Sequence, residues 1–217
     1  MTTPVLDLRH VGKSYGDTVV LDAVTFTVEP AEVVALTGPN GSGKSTLLQC
    51  IIGWELPSTG AVLFEGEPYL ERLPQVRAAV AVALGGGADF PGLTVREHLE
   101  FMARAHGNAD PGPIVAAVLD ELALTHLADR FPHAMSQGQR RRLGLAACFV
   151  RPRRLLILDE PEQNLDRAGR RWLAERIAAE QRAGVAVLMA CHDPTLVAAV
   201  ADSEVELDFD ISDEESR

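Results

Sequence analysis

The chain has 217 residues, 47% of them hydrophobic and 24% charged, with a formal net charge of −11. That length supports one sizeable core, and the acidic balance is opposite to what a nucleic-acid partner selects, so no nucleic acid is expected. No apolar run is long enough to span a bilayer, residues Met1 to Asp7 lack the basic and apolar parts of a leader, and the three cysteines are too scattered for disulfides or a metal site. Cys50, Cys148 and Cys191 therefore read as small buried side chains in a reducing, cytoplasmic setting.

In chain order, Val5 to Val11 and Val19 to Val28 run apolar or alternate with β-branched residues, which predicts two strands. Lys13-Ser14-Tyr15-Gly16-Asp17 between them predicts a turn. The ring of Tyr15 is either a strand-end aromatic or a face on which a purine stacks.

A third apolar run, Val33 to Leu36, leads into Gly38-Pro39-Asn40-Gly41-Ser42-Gly43-Lys44-Ser45-Thr46 and then a helical pattern from Leu47 to Ile52. Strand, glycine-rich turn and helix are the context that a phosphate loop of the form G-x-x-x-x-G-K-[ST] requires. Glycines let successive N–H groups face an oligophosphate, and the helix N-terminus adds positive potential. Lys44 supplies a full charge, and Ser45 offers a hydroxyl to Mg²⁺. The motif implies a bound nucleoside triphosphate.

Glu55 to Gly60 reads as a turn and Ala61 to Phe64 as a strand. Val76 to Leu84, dominated by Ala and Val, predicts a buried strand preceded by a short helix or turn. Gly85-Gly86-Gly87-Ala88-Asp89-Phe90-Pro91-Gly92 predicts a loop. Thr94 and Glu97 form a capping-box pattern opening a helix to about His106, with a second helix from Ile114 to about Leu122. From Thr94 to Val150 the chain is almost wholly helical, which predicts a helical lobe (85–150) inserted into an α/β core (1–84 and 151–217).

Ser136-Gln137-Gly138-Gln139 precedes a helix predicted from Arg140 to about Val150. The group is an ordinary cap or a second anion site. Leu155 to Leu158 and Val185 to Ala190 are continuous apolar runs, the pattern of strands buried on both faces of a parallel sheet. A helix spans about Arg167 to Arg182. Asp159 follows the first run and is assigned to a metal, and Glu160 to the attacking water as general base. His192 ends the second run, within reach of a γ-phosphate. Ligands in such sheets sit beyond the carboxyl ends of the strands, so the loops after Leu36, Leu158 and Ala190 should converge. Asp202 to Arg217 carries eight acidic residues and one basic one, and reads as a solvated tail.

Taken together these motifs resemble the ATP-binding cassette ATPases, the nucleotide-binding subunits of ABC transporters, over essentially the whole chain. Gly38–Thr46 matches the Walker A motif and Leu155–Glu160 the Walker B motif with its following glutamate. Met135-Ser136-Gln137-Gly138-Gln139 resembles the signature motif and Asn164-Leu165-Asp166 the D-loop. His192 falls at the switch histidine, and Tyr15 at the aromatic A-loop. The resemblance implies one P-loop NTPase domain, with a mostly parallel sheet, an N-terminal antiparallel β region and an inserted helical lobe. It implies MgATP hydrolysis, with Lys44, Glu160 and His192 acting on the reaction.

It also implies a head-to-tail dimer with itself or a paralogue. Each nucleotide is then clamped between one Walker A loop and the other copy's Ser136 and Gly138. The dimer drives a separate membrane permease, on the cytoplasmic face, and the small size suits an exporter. The alternative is an ATP-gated dimerisation module that hydrolyses weakly or does not transport. The roughly 110 residues between the Walker motifs leave no room for the long coiled coil of chromosome-maintenance relatives.

Two departures stand out. Gln137 replaces the usual glycine of the signature, a cost of about 1 kcal/mol if the position needs positive φ. No glutamine lies between Gln75 and Gln137; Gly85 stands at the Q-loop position, with Asp89 a nearby substitute. Slower hydrolysis or altered coupling is the expected consequence.

Overall fold

The computed structural model describes residues 3–85, 90 and 92–208. In chain order the elements are β1 (Leu6–Tyr15), β2 (Thr18–Val28), β3 (Val33–Thr37), α1 (Lys44–Ile51), β4 (Thr59–Phe64), β5 (Glu67–Pro68), α2 (Pro74–Ala79), β6 (Val80–Ala83), α3 (Val95–Ala105), α4 (Gly112–Glu121), α5 (Gln137–Phe149), β7 (Leu155–Asp159), α6 (Arg167–Arg182), β8 (Ala186–Ala190), α7 (Pro194–Val200) and β9 (Ser203–Glu206). Two short 3₁₀ turns, Thr125–Leu127 and Pro132–Ala134, lie between α4 and α5.

The strands form two sheets, an antiparallel one in the order β2-β1-β4-β5 and a parallel one in the order β6-β7-β8-β3-β9. The parallel strands alternate between two cores. Val33, Ala35, Leu156, Leu158, Val187 and Met189 face the helices α3 to α6. Val34, Leu36, Leu155, Ile157, Leu188 and Ala190 face α1 and the antiparallel sheet. Both faces are therefore dry, which explains the unbroken apolar runs. Leu155, Leu156, Ile157 and Leu158 are fully buried, and at roughly 1.5–3 kcal/mol each they anchor β7 in the centre of the molecule.

Several boundaries differ from the sequence reading. The first turn is only Gly16 and Asp17, because β1 continues through Tyr15, which pairs with Thr18. Val76 to Ala79 is helical, in α2, with Pro74 at its start; only Val80–Ala83 is strand. The fifth helix begins at Gln137, three residues before the predicted Arg140. The acidic tail begins as structure: β9 pairs in parallel with β3, from Val34↔Ser203 to Thr37↔Glu206. Its charges point mainly to solvent, as befits an edge strand. Residues 209–217 of that tail, and residues 86–89 and 91 of the predicted loop, lie outside the described residues. All three cysteines are free and buried. No helix among the described residues is long and apolar enough to cross a membrane.

The base of β7 is fixed electrostatically. Arg153, two residues before the strand, donates from Nε to Glu180 Oε2 at 2.7 Å and from Nη2 to Glu180 Oε1, and Arg176 Nη2 reaches the same Oε1 at 2.9 Å. Glu180 is 4% exposed. Replacing Glu180 with Ala leaves a buried guanidinium without its carboxylate, at an expected cost of about 3–5 kcal/mol. Urea unfolding checks this, with Arg153→Met combined with Glu180→Leu expected to recover most of the loss.

Candidate functional site

The phosphate loop has the backbone its glycines predict. Gly38, Gly41 and Gly43 adopt φ of 131°, 86° and 90°, values that side chains resist. Space is also short at two of them. A Cβ on Gly43 would lie 2.9 Å from the Val20 carbonyl oxygen, and one on Gly38 would lie 2.4 Å from the Leu207 carbonyl oxygen. The loop is thus clasped between β2 and the residue after β9. Lys44 closes it, donating from Nζ to the carbonyls of Gly38 (2.8 Å) and Pro39 (2.7 Å). Burial pushes the Lys44 ammonium below its ordinary pKa, against the opposing pull of Glu160 and Asp159.

The parallel register brings the second motif to the same edge. Leu158 pairs with Met189 and Asp159 with Ala190, while Leu36 pairs with Ala190 on the other side of β8. Ser45 Oγ, in the first turn of α1, donates to Asp159 Oδ2 at 3.3 Å. The other oxygen, Oδ1, is buried with no hydrogen-bond partner among the described residues. Burial, then the neighbouring Glu160 charge, raises the Asp159 carboxyl above its ordinary pKa of 3.8.

Glu160 sits in the left-handed region at φ 47°, its N–H donating to the Ala190 carbonyl at 2.8 Å. This non-glycine strain turns its carboxylate out of the strand line. Both oxygens are held: His192 Nε2 lies 3.1 Å from Oε1, and Gln163 Nε2 donates to Oε2 at 3.1 Å. The backbone N–H of His192 donates to Glu162 Oε1 at 2.8 Å, and Glu162 is 6% exposed. His192 is thus fixed through its backbone by Glu162 and through its ring by Glu160.

The signature residues stand apart. Ser136 caps α5 in a capping box, its hydroxyl accepting from Gln139 N–H and Gln139 Oε1 accepting from Ser136 N–H. A Cβ on Gly138 would meet the Asn164 carbonyl at 3.4 Å. No hydrogen bond joins residues 136–139 to residues 38–46 among the described residues. Gln137 is the first helical residue and is absent from the positive-φ positions, so the strain expected there does not arise. Asp166 caps α6, accepting from Gly169 N–H at 2.8 Å. Tyr15 is 49% exposed at the end of β1, with Lys13 Nζ 4.9 Å from its ring centre. Gly85 is in the left-handed region at φ 61°, and Asp89 lies outside the described residues.

The ABC transporter family profile matches residues 21–163. The chain belongs to the ABC transporter family. It is 36% identical over 193 residues to the spermidine/putrescine import ATP-binding protein PotA of Chromobacterium violaceum, covering 87% of this chain and 53% of that one. It is 35% identical over 192 residues to the Nod factor export ATP-binding protein I of Cupriavidus metallidurans, covering 88% of this chain and 63% of that one. A solved ATP-binding subunit of an ABC transporter superposes with a TM-score of 0.87 at 30% identity, over 94% of this chain and 86% of that one. The fold is that of an ABC ATPase domain, with the parallel and antiparallel sheets the sequence implied. The chain thus spans between half and two thirds of the length of the two curated relatives.

Three polar residues of this site carry no sequence motif: Arg141, Glu162 and Gln163. Arg141 lies one turn into α5 and donates to main-chain oxygens of the Walker B region, contacts set by the tertiary placement of α5 against β6 and α3. Gln163 and Glu162 lie within three residues of Glu160, and the turn after β7 is the only local signal for them.

The raised Asp159 carboxyl has a testable sign. A folded-state pKa above the unfolded one means the folded protein holds that proton more tightly, so stability falls as pH rises through the interval and the cost is complete at neutral pH. Asp159→Asn is expected to raise the melting temperature of nucleotide-free protein at neutral pH, with the gain closing below about pH 4. Scanning calorimetry across pH checks it.

Proposed function

We propose that this cassette binds MgATP and hydrolyses it as the ATPase subunit of an ABC transporter, working as a head-to-tail dimer that drives a separate membrane chain. The observation that carries this reading is the division of the site. Ser45, Asp159, Glu160 and His192 gather on one edge with the phosphate loop, whereas among the described residues no hydrogen bond joins the capped N-terminus of α5 to that loop. A complete phosphate site then takes Ser136 and Gly138 from a second copy or a paralogue, with Gln137 and Gln139 holding the helix start and Asp166 at the junction.

Within one half-site, N–H groups of Asn40 to Thr46 and the Lys44 ammonium hold the β- and γ-phosphates, and Tyr15 offers its ring to the adenine. Ser45 and Asp159 fit a Mg²⁺ ion, as the unpartnered buried Oδ1 is a hard oxygen donor beside a hydroxyl. The ion, when bound, neutralises charge developing between the phosphates. Glu160 orients the attacking water and takes its proton as the γ-phosphorus bond to the bridging oxygen breaks and ADP leaves, and His192, poised on Glu160, donates to an oxygen of the transferred γ-phosphoryl group.

A groove of about 480 Å³ lined by Ile52, Trp54, Tyr69, Val76 and Met102 is where we seat the membrane partner. Association with that partner would hold the cassette on the cytoplasmic face. Cargo and direction belong to the membrane chain: import-named and export-named relatives match this cassette at 36% and 35% identity.

Glu160→Gln tests the reading. Turnover is expected to fall by about 10²–10⁴-fold, while ATP drives the variant into a stable dimer seen by light scattering. A variant that remains monomeric in saturating ATP would sink the head-to-tail model.

A further inference from the structure

The helical segment and the α/β core do not pack solidly against each other behind the catalytic carboxylates. A cavity of about 330 Å³ opens there, lined by Trp54, Leu84, Phe90, Met102, Leu143 and Arg141 among others. Its polar lining among the described residues is His98, Asp159 and Arg141, and Arg141 bonds to main-chain oxygens on its far side. Arg141, on α5, donates from Nη2 to the main-chain carbonyls of Asp159 and Glu160, and from Nη1 to the Gly85 carbonyl at 3.4 Å. Among the described residues its hydrogen bonds go to main-chain oxygens. A guanidinium has donors in a fixed fork, so it can hold three carbonyls of two segments in one geometry. Charge-assisted bonds of this kind are about twice as strong as neutral ones.

The two carbonyls belong to the residues whose side chains face the nucleotide. Glu160 is already strained at φ 47°, so its orientation depends on what grips its main chain. Arg141 shares its helix with Ser136, which lies about one and a half turns away. A rotation of α5 therefore moves both the signature cap and the grip on Glu160.

We propose that Arg141 is a positioning residue for the hydrolytic reaction: a strut across the inter-lobe cavity that sets the main chain of Asp159 and Glu160 according to the orientation of α5. Its bonds among the described residues are to main-chain oxygens, and it acts through Glu160. Engagement of the α5 cap by a second copy's nucleotide is thereby transmitted to the catalytic carboxylate of the copy that owns the helix. The inference rests on the proposed role of Glu160. Should that role fail, the wild type and Glu160→Gln hydrolyse ATP equally, a result seen before Arg141 is altered.

The experiment measures steady-state ATPase of the full chain for Arg141→Ala and Arg141→Lys, with melting temperature recorded for each. Arg141→Ala is expected to lower kcat by about 10- to 100-fold, with KM for ATP within about threefold of wild type. Millimolar guanidinium ion, which the cavity can admit, is expected to restore part of the lost kcat. Arg141→Lys keeps the charge but not the fork, and should give an intermediate kcat with a native melting temperature. In the Glu160→Gln background, Arg141→Ala should leave ATP-driven dimerisation intact. A kcat for either variant within about twofold of wild type, or no response of Arg141→Ala to guanidinium, would overturn the proposal. So would loss of dimerisation by the folded double variant, which would move the role of Arg141 to the signature cap.

Discussion

Everything at the candidate site depends on parallel strand pairing between β7, β8 and β3. Three strands running the same way in a sheet buried on both faces must end at one edge, and their exit loops must share that edge. The register Asp159↔Ala190 and Leu36↔Ala190 brings a carboxylate, a histidine loop and the phosphate loop together. No side-chain interaction in the site is strong enough to assemble it alone. Ser45 to Asp159 is 3.3 Å and His192 to Glu160 is 3.1 Å, and each is an adjustment on a frame already set by the buried strands.

That frame is held at its far end as well. The Arg153–Glu180 pair, nearly inaccessible to water, ties the chain entering β7 to the end of α6. With the base of the strand pinned and its middle packed on both sides, strain is concentrated at the exit. There Glu160 occupies a conformation suited to glycine, and Glu162, Gln163, His192 and Arg141 surround it. The cost of the strained residue is offset by the rigidity of the sheet behind it.

The local motifs were readable because their physics is local. A phosphate loop needs glycines at left-handed positions, and Gly38, Gly41 and Gly43 are there. The capping box at Thr94 closes within three residues. The run Val76–Leu84 shows where such reading fails: Ala and Val in succession suit a buried helix or strand equally, and only Pro74 marked the helical start. The acidic stretch after Asp202 misled in the other direction. Its charges describe a solvated surface correctly, but an edge strand has one too, and the pairing of β9 with β3 is invisible in composition.

The sequence by itself determined the phosphate loop, the paired carboxylates after a buried strand, and the signature cap, because each is written in a few contiguous residues. The tertiary structure alone decided what those pieces do to one another. It placed Gly38 against Leu207, left Asp159 Oδ1 buried without a hydrogen-bond partner among the described residues, and put Gln163 and His192 on the two oxygens of Glu160. It also relieved the expected strain at Gln137, because helical φ there suits any residue. Such contacts join residues from different strands and helices. Their distances are set by how apolar faces stack, which no short stretch of sequence encodes.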